Sequence, residues 1–251
     1  MWLYYHTRLM VPVGAVMWRL RAHGLERMPR RGPFVIACNH ASFMDPWFLC
    51  GTVLHVPIRY VVSARWFGRS RFWHAFFRDC GCIPTNPRRP GEAIGQIVEH
   101  LDQGDVVGLF PEGRITHTGK MNPIRHGIGW IAALSGVPVV PCALRGNYEA
   151  LPRHRLVPRP HRVSLHVGEP LVFSGGRMSD PDPEAVHQFV VGLASEICRL
   201  ADQEDRISRV APRQPPRELP KSLDSDNSDI PADETAPVEV EQGPSELTGS
   251  G

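Results

Sequence analysis

The stretch NHASFMDP, residues 39 to 46, places His40 five positions before Asp45. An imidazole that donates one N–H to a carboxylate has a fixed tautomer, and its second nitrogen can then take a proton from a hydroxyl group. The residues between them are enough for the loop to bring the two side chains together. The spacing therefore predicts His40 as a general base and Asp45 as its orienting partner. Taken alone, the stretch is also typical of a helix N-cap beside a surface histidine.

A second polar stretch, FPEGRIT at residues 110 to 116, combines a carboxylate, a glycine and an arginine. Glu112 can accept hydrogen bonds from substrate hydroxyls, and Arg114 can hold a phosphate group through paired donors. Gly113 lets the backbone approach a ligand closely, and Thr116 is a further candidate in the same turn. These four residues are predicted to bind substrate. Alone, the stretch is equally typical of a tight turn with a surface ion pair.

Both stretches follow apolar runs that predict β-strands. Most of these runs are continuous rather than alternating, which is typical of strands covered on both faces. Strands are predicted at 34–38, 58–63, 106–110, 137–144 and 163–167, and helices at 46–55, 65–78, 91–103, 125–135 and 183–203. His40 and Glu112 then lie where two strands end, which is the edge at which α/β sheets bind ligands.

Two of the predicted helices begin with an aspartate followed by a proline. Asp45 precedes Pro46, and Asp182 precedes Pro183. Such pairs are strong start signals, because the carboxylate can cap free N–H groups and proline fits the first helical turn. We expect both aspartates to cap their helices.

With these motifs in this order, the chain resembles the glycerolipid acyltransferase family, whose best-known members are the 1-acylglycerol-3-phosphate acyltransferases. The family's histidine–aspartate block matches His40 and Asp45, and its Pro-Glu-Gly block matches FPEGRIT in a variant with arginine directly after glycine. GCIPTN at 81–86 resembles a middle block, and VPVVPCAL at 137–144 resembles an apolar block that contains proline. The resemblance covers about residues 24–170.

This resemblance implies a single α/β acyltransferase domain over residues 25–205, with a mostly buried sheet flanked by helices. It implies transfer of a fatty acyl group from acyl-CoA or acyl-acyl carrier protein to a lysophospholipid, with 1-acylglycerol-3-phosphate as acceptor and phosphatidic acid as product. The donors are co-substrates, and the expected chemistry of His40 requires neither a cofactor nor a metal. A lysophospholipid with another headgroup is the alternative acceptor. A non-catalytic membrane-binding protein with the same fold is the alternative of another class.

The chain departs from the family pattern just after the middle block. Family members usually carry an arginine there, interpreted as a phosphate ligand, whereas this chain has Asn86 and Pro87 followed by Arg88 and Arg89. Either Arg88 takes over the phosphate after a shift of one residue, or the acceptor headgroup differs.

Two segments have the composition of membrane-contacting elements. Residues 1–24 are rich in aromatic side chains and arginine, but no run reaches the roughly 18 to 20 apolar residues of a spanning helix. They predict either a helix in the membrane surface or an amphipathic helix packed on the domain. Residues 64–79 interleave aromatic residues with arginine, which fits a lipid interface, a packed helix or single-stranded nucleic acid. With an acyltransferase site alongside, we expect lipid and no nucleic acid.

The charge of the chain is unevenly distributed. Residues 1–210 hold 25 basic and 17 acidic side chains, whereas residues 211–251 hold seven prolines, nine acidic and three basic residues. A segment of this kind buries too little apolar surface to order itself, so residues 206–251 are predicted to be a disordered acidic tail. The basic body suits an anionic membrane surface. We expect a peripheral or monotopic protein at the cytoplasmic face of the membrane, with its six cysteines reduced.

Overall fold

The computed structural model of the protein describes residues 11–86 and 88–206. Pro87 and both ends of the chain lie outside that part. The predicted acidic tail, apart from Arg206, and the aromatic residues before residue 11 therefore lie outside the described residues.

The described chain forms strands and helices in alternation. The strands are β1 Arg21–His23, β2 Phe34–Cys38, β3 Ile58–Ser63, β4 Ile83–Thr85, β5 Val106–Leu109, β6 Val139–Arg145 and β7 Ser164–Val167. The α-helices are α1 Val11–Trp18, α2 Asp45–Thr52, α3 Ala64–Phe67, α4 Arg71–Asp79, α5 Pro90–Asp102, α6 Gly127–Ser135, α7 Asn147–Ala150 and α8 Pro183–Leu200. Short 3-10 turns lie at Leu25–Arg27 and Glu204–Arg206.

The strands form one sheet in the order β1-β7-β6-β2-β5-β3-β4. Every neighbouring pair is parallel except β6 and β7, which are antiparallel. β2 lies between β5 and β6 and runs parallel to both. Because these three strands point the same way, the loops that follow them emerge together at one edge of the sheet.

Side chains from both faces of the sheet are buried in two separate apolar clusters. In β2, Val35 and Ala37 face a cluster that includes residues of α5, α6 and α8. Phe34 and Ile36 face the other cluster, which includes residues of α2 together with Trp18. The alternation follows from the period of two residues in a β-strand. The structure confirms the predicted α/β fold with a mostly buried sheet flanked by helices.

The predicted strands are all present, and the differences lie in short or interrupted elements. The single helix predicted at 65–78 is two helices, because the chain leaves the helical path after Gly68 and Ser70 adopts an extended backbone. Ser70 then caps α4 by accepting from the Trp73 N–H at 3.3 Å. β4 was not predicted. It contains Pro84, which an edge strand tolerates because one side of that strand has no partner in the sheet.

Residues 18–23 are joined to the rest of the described chain. β1 pairs with β7, and Trp18 is 6 % exposed. The Trp18 indole N–H donates to the Arg159 carbonyl at 2.8 Å, and its ring packs edge-on against Trp47 and Phe48. Of the two alternatives for residues 1–24, a helix in the membrane surface and a helix packed on the domain, the burial of Trp18 fits the second.

Within residues 11–86 and 88–206, no helix combines the length and the apolar character that a bilayer-spanning helix needs.

Trp18 provides a test of how α1 is attached. We expect Trp18→Ala to lower the free energy of unfolding by about 3–5 kcal/mol, because the change leaves a cavity under α1 and removes an indole hydrogen bond. Met17→Ala is the matched control, since the neighbouring Met17 is 40 % exposed and its loss should cost less than about 1 kcal/mol. Chemical denaturation of both variants measures the difference. Equal small losses would contradict the burial of Trp18.

Candidate active site

His40 and Asp45 are in direct contact at the carboxyl end of β2. The His40 Nδ1 and the Asp45 Oδ2 are 2.9 Å apart, so the ring donates from Nδ1 to the carboxylate. The His40 side chain is 17 % exposed, and its Nε2 makes no hydrogen bond within residues 11–86 and 88–206. The ring also stacks on Phe110, with centroids 4.0 Å apart and planes 16° apart. The loop therefore holds the imidazole by its edge and by one face.

The Asp45 carboxylate is fully buried and is surrounded by N–H donors. Its Oδ2 also accepts from the Ala41 N–H at 2.8 Å and the Ser42 N–H at 2.9 Å. Its Oδ1 accepts from the Asn147 side-chain amide at 2.8 Å. The predicted capping of α2 by Asp45 is wrong, because the carboxylate turns back to bind the loop and no side chain caps that helix. The other predicted cap is present, since Asp182 accepts from the Glu184 and Ala185 N–H groups.

Glu112 connects the His40 loop to the segment around Asn122. Its Oε1 accepts from the His40 backbone N–H at 2.7 Å. Its Oε2 accepts from the Asn122 backbone N–H at 2.6 Å and from the Asn122 amide at 3.0 Å. Glu112 is 2 % exposed. The sequence predicted that it accepts from substrate hydroxyls, whereas in the structure both of its oxygens accept from the protein, so its contacts are those of a positioning residue.

The titration of Glu112 reflects this burial. Burial raises the pKa of Glu112 from 4.5 to about 7, while the N–H donors of Asn122 and His40 act in the opposite direction. A carboxylate in this position is costly to ionise unless its hydrogen-bond donors are in place.

The remaining residues of the FPEGRIT stretch divide between the loop and the surface. Thr116 is 2 % exposed, and its hydroxyl donates to the Lys120 carbonyl at 2.6 Å, so it closes a turn instead of facing a ligand. Its backbone N–H donates to the His40 carbonyl at 2.9 Å. Gly113, with φ of +71°, and Arg114 are exposed.

Arg125 was not predicted from the sequence, yet it lies against the Gly113 turn. A Cβ atom added to Gly113 would come within 2.9 Å of the Arg125 Nε. Arg125 is exposed, and its backbone N–H donates to the Pro111 carbonyl at 3.0 Å. A second guanidinium therefore accompanies Arg114 at this turn, in a place suited to an anionic group.

Arg88 follows β4 at the same edge of the sheet. Its backbone N–H donates to the Asn86 side chain at 2.9 Å, and its side chain is exposed. β4 is the third strand from β2 in the sheet order, so the two are separated by roughly 14 Å across the sheet. Arg88 thus shares an edge with His40 without lying beside it.

Two asparagines that the sequence analysis did not single out complete the loop. The Asn39 amide donates to the Leu144 carbonyl at 3.1 Å, and its oxygen accepts from the Leu144 N–H at 2.7 Å. Asn39 therefore ties the loop after β2 to β6. Asn147, which binds Asp45, follows the carboxyl end of β6. A polar residue three positions after the predicted strand 137–144 was the available signal for Asn147.

Cys38, Cys82 and Cys142 do not have the environment of a reactive nucleophile. Those in and near the sheet, Cys38 and Cys142, are fully buried, and burial raises the pKa of each thiol. Burial also raises the pKa of Cys82 to about 12. Thiolates, which are the reactive species, are disfavoured in such surroundings.

Comparison with known proteins supplies the family. The family model described as Acyltransferase matches residues 19–145, just over half of the chain. The chain belongs to the acyltransferase family. It is 28 % identical over 189 residues to the 1-acyl-sn-glycerol-3-phosphate acyltransferase of Bacillus subtilis strain 168, which covers 75 % of this chain and 91 % of that protein.

Other acyltransferases match a shorter part of the chain or share its fold. The alpha form of the human 1-acyl-sn-glycerol-3-phosphate acyltransferase is 32 % identical over 136 residues, covering 50 % of this chain and 45 % of the human protein. The crystal structure of the 1-acyl-sn-glycerophosphate acyltransferase PlsC of Thermotoga maritima superposes with a TM-score of 0.65 at 21 % identity, covering 83 % of this chain and 81 % of that one. At that identity the structural likeness concerns the fold alone.

The burial of Glu112 in this acyltransferase predicts a stability that depends on pH. Because the folded pKa is about 7 and the ordinary value is 4.5, the folded protein keeps a proton that the unfolded chain loses as pH rises. The free energy of unfolding of the wild type, compared with that of a variant that cannot ionise at position 112, should be highest below about pH 4.5. It should fall as the pH rises through 7, by at most about 3 kcal/mol.

Glu112→Gln, which cannot ionise, provides the comparison. Denaturant unfolding of both proteins from pH 5 to pH 8 gives the difference in free energy at each pH. We expect wild type minus variant to decrease over that range. A constant difference would show that Glu112 keeps the same charge throughout.

Proposed function

We propose that this acyltransferase transfers a fatty acyl group from acyl-CoA or acyl-acyl carrier protein to the free hydroxyl of 1-acylglycerol-3-phosphate, giving phosphatidic acid. The name of the Bacillus subtilis relative, which matches over three-quarters of the chain, supports this acceptor. The observation that carries the proposal is the imidazole of His40, held at Nδ1 by Asp45 and unbonded at Nε2 among the described residues.

In the proposed reaction, His40 Nε2 takes the proton of the acceptor hydroxyl while the hydroxyl oxygen attacks the thioester carbonyl carbon. The new C–O bond forms, the C–S bond breaks, and the departing thiolate receives the proton from the imidazolium. The Asp45 carboxylate balances the positive charge that develops on the ring, as the acid does in a catalytic triad. Thiolates leave readily, so the step needs no covalent enzyme intermediate.

The acceptor phosphate is proposed to bind at the Gly113 turn. Arg114 and Arg125 bring two guanidinium groups to this turn, and such groups pair with phosphate oxygens in a bidentate manner. The exposed Gly113 lets an anionic headgroup approach the backbone.

A lysophospholipid with a different headgroup is the second candidate acceptor. The observation that favours it is local to the end of β4, where Asn86 and Pro87 occupy the place of the family's usual arginine and Arg88 is shifted by one residue. In this alternative the acyl chemistry of His40 and Asp45 is the same and only the headgroup contacts differ.

The place of action is proposed to be the cytoplasmic face of a membrane, where the protein is peripheral or monotopic. A lysophospholipid acceptor resides in the membrane, so the enzyme must touch the bilayer. Exposed rings on α3 and α4 support such a contact: Phe72 is 68 % and Trp66 is 37 % exposed, and the Arg69 guanidinium lies 5.2 Å from the centre of the Trp66 ring. Aromatic and arginine side chains of this kind are favoured at headgroup level.

The test is a reconstitution with purified full-length protein. Acyl-CoA and acyl-acyl carrier protein are each supplied with 1-acylglycerol-3-phosphate and with lysophospholipids bearing choline, ethanolamine or glycerol headgroups, and the lipid products are identified by mass spectrometry. We expect phosphatidic acid to form fastest. Faster acylation of another lysophospholipid would support the second candidate, and no acylation of any acceptor would refute both.

His40→Ala in the same assay tests the proposed base. We expect turnover to fall by about 10²–10⁴-fold, the usual contribution of a positioned general base. The variant should still fold, with a lower unfolding midpoint because the buried Asp45 carboxylate loses one of its donors. His55→Ala is the control, because His55 is an exposed histidine whose ring lies 3.1 Å from the carbonyl of Pro29, which precedes β2 and lies away from the site loops. Turnover near that of the wild type in His40→Ala would contradict the mechanism.

A further inference from the structure

The segment of residues 152–162, between α7 and β7, is basic and carries an exposed apolar tip. It contains no acidic residue. Its positively charged and titratable side chains are Arg153, His154, Arg155, Arg159, His161 and Arg162. At its centre Leu156 is 97 % exposed and Val157 is 74 % exposed. Two neighbouring aliphatic side chains exposed to this extent have little contact with the domain, which is unfavourable in water unless something covers them.

One end of this basic segment is attached to the rim of the active site. The Arg153 guanidinium lies 3.1 Å from the His117 ring, and the Tyr148 hydroxyl donates to the His117 carbonyl at 2.9 Å. His117 directly follows Thr116, whose N–H donates to the His40 carbonyl. The basic segment therefore starts at the edge of the sheet where His40 lies.

The other end is fastened to α7 and to the end of α1. The Arg159 N–H donates to the Ala150 carbonyl at 2.7 Å, and its carbonyl accepts from the Trp18 indole at 2.8 Å. Both ends of the basic segment are thus attached to the domain, while Leu156 and Val157 project from its centre.

An open cavity of about 430 Å³ lies beside the tip. Arg155, Arg159, His154 and His161 line it, together with Tyr148 and one carboxylate, Glu149. The positive groups outnumber the single carboxylate, so the lining suits a phosphate-sized anion.

We propose that the basic segment is a docking surface for an anionic phospholipid membrane. Leu156 and Val157 enter the boundary between headgroups and acyl chains, and the arginines around them pair with lipid phosphates. Both parts of the surface are complementary to the membrane, since the arginines attract anionic headgroups and the aliphatic tip is compatible with the hydrocarbon of the acyl chains. Because the basic segment is attached to His117 at the edge of the sheet where His40 lies, docking through this segment would turn that edge toward the lipid.

Single-stranded nucleic acid fits the same surface less well. Its phosphates would also attract the arginines, but sequence-independent binding of single strands relies on aromatic rings on which bases stack. The basic segment contains no phenylalanine, tyrosine or tryptophan, and its exposed tip is aliphatic.

Vesicle sedimentation with the purified full chain tests the proposal, using phosphatidylcholine alone or with about one-third phosphatidylglycerol. Arg155→Ser/Arg159→Ser should weaken partition to the anionic vesicles by about 25-fold, since each arginine at such a surface contributes a factor of about five. Leu156→Ser/Val157→Ser should weaken partition to both kinds of vesicle by about tenfold.

Arg30→Ser/Arg31→Ser is the matched control for charge. These exposed arginines precede β2 and lie at the opposite edge of the sheet from His40. The length of the sheet separates them from the proposed docking surface by more than roughly 10 Å, the distance beyond which salt screens the interaction of surface charges. Their removal changes net charge equally and should leave partition near that of the wild type. Should a double variant be destabilised, Leu156→Ser alone carries the test, because that side chain has almost no contact to lose.

Wild-type partition in both loop variants would overturn the proposal, and so would an equal loss in the Arg30/Arg31 control. Binding of a mixed-sequence single-stranded oligonucleotide in preference to vesicles, lost in Arg155→Ser/Arg159→Ser, would assign the surface to nucleic acid and also overturn it. The binding assay contains neither donor nor acceptor. Its outcome is therefore independent of whether the proposed acyl transfer is correct.

Discussion

The buried carboxylate of Asp45 is the group on which the geometry of the site depends. An isolated charge at zero exposure would be costly, and the protein offsets that cost with four N–H donors aimed at its two oxygens. Two of these donors are backbone groups of the loop itself, one is the His40 ring, and one comes from Asn147 after β6. Satisfying the carboxylate therefore folds the loop, orients the ring and attaches both to the start of α7, which follows the neighbouring strand β6.

The parallel arrangement of β5, β2 and β6 makes this convergence possible. Their loops leave the sheet side by side, so that Glu112 after β5 and Asn147 after β6 reach the His40 loop from its two flanks. Phe110 adds a ring under the imidazole. The result is an imidazole restrained at one edge and on one face, with Nε2 unbonded among the described residues, as pre-organised catalysis requires.

Features that depend on residues close together in the sequence could be predicted from it. The meeting of His40 and Asp45 needs only a five-residue loop, and the strands that flank the site are long apolar runs. What could not be predicted depends on distant partners: Asn147 is 102 positions from Asp45, and without it the aspartate before Pro46 is typical of a helix cap. For the same reason Glu112 was assigned to substrate, since only the fold shows that the His40 N–H, 72 positions away, binds one of its oxygens. β1 was missed because Arg-Ala-His has no apolar pattern, and α3 was merged with α4 although Gly68 and Ser70 carry the signal for a break.

The central claim is that Asp45 acts on the reaction through His40, and a double-mutant cycle tests it most directly. The values of kcat/KM would be compared for wild type, His40→Ala, Asp45→Asn and the double variant, with the folding of each verified by its unfolding transition. We expect the double variant to be within about threefold of His40→Ala, because removing the orienting carboxylate has no further effect once the base is gone. If the two residues act independently, the losses multiply, and kcat/KM of the double variant is lower than that of His40→Ala by the full factor seen in Asp45→Asn alone. That result would contradict the claim.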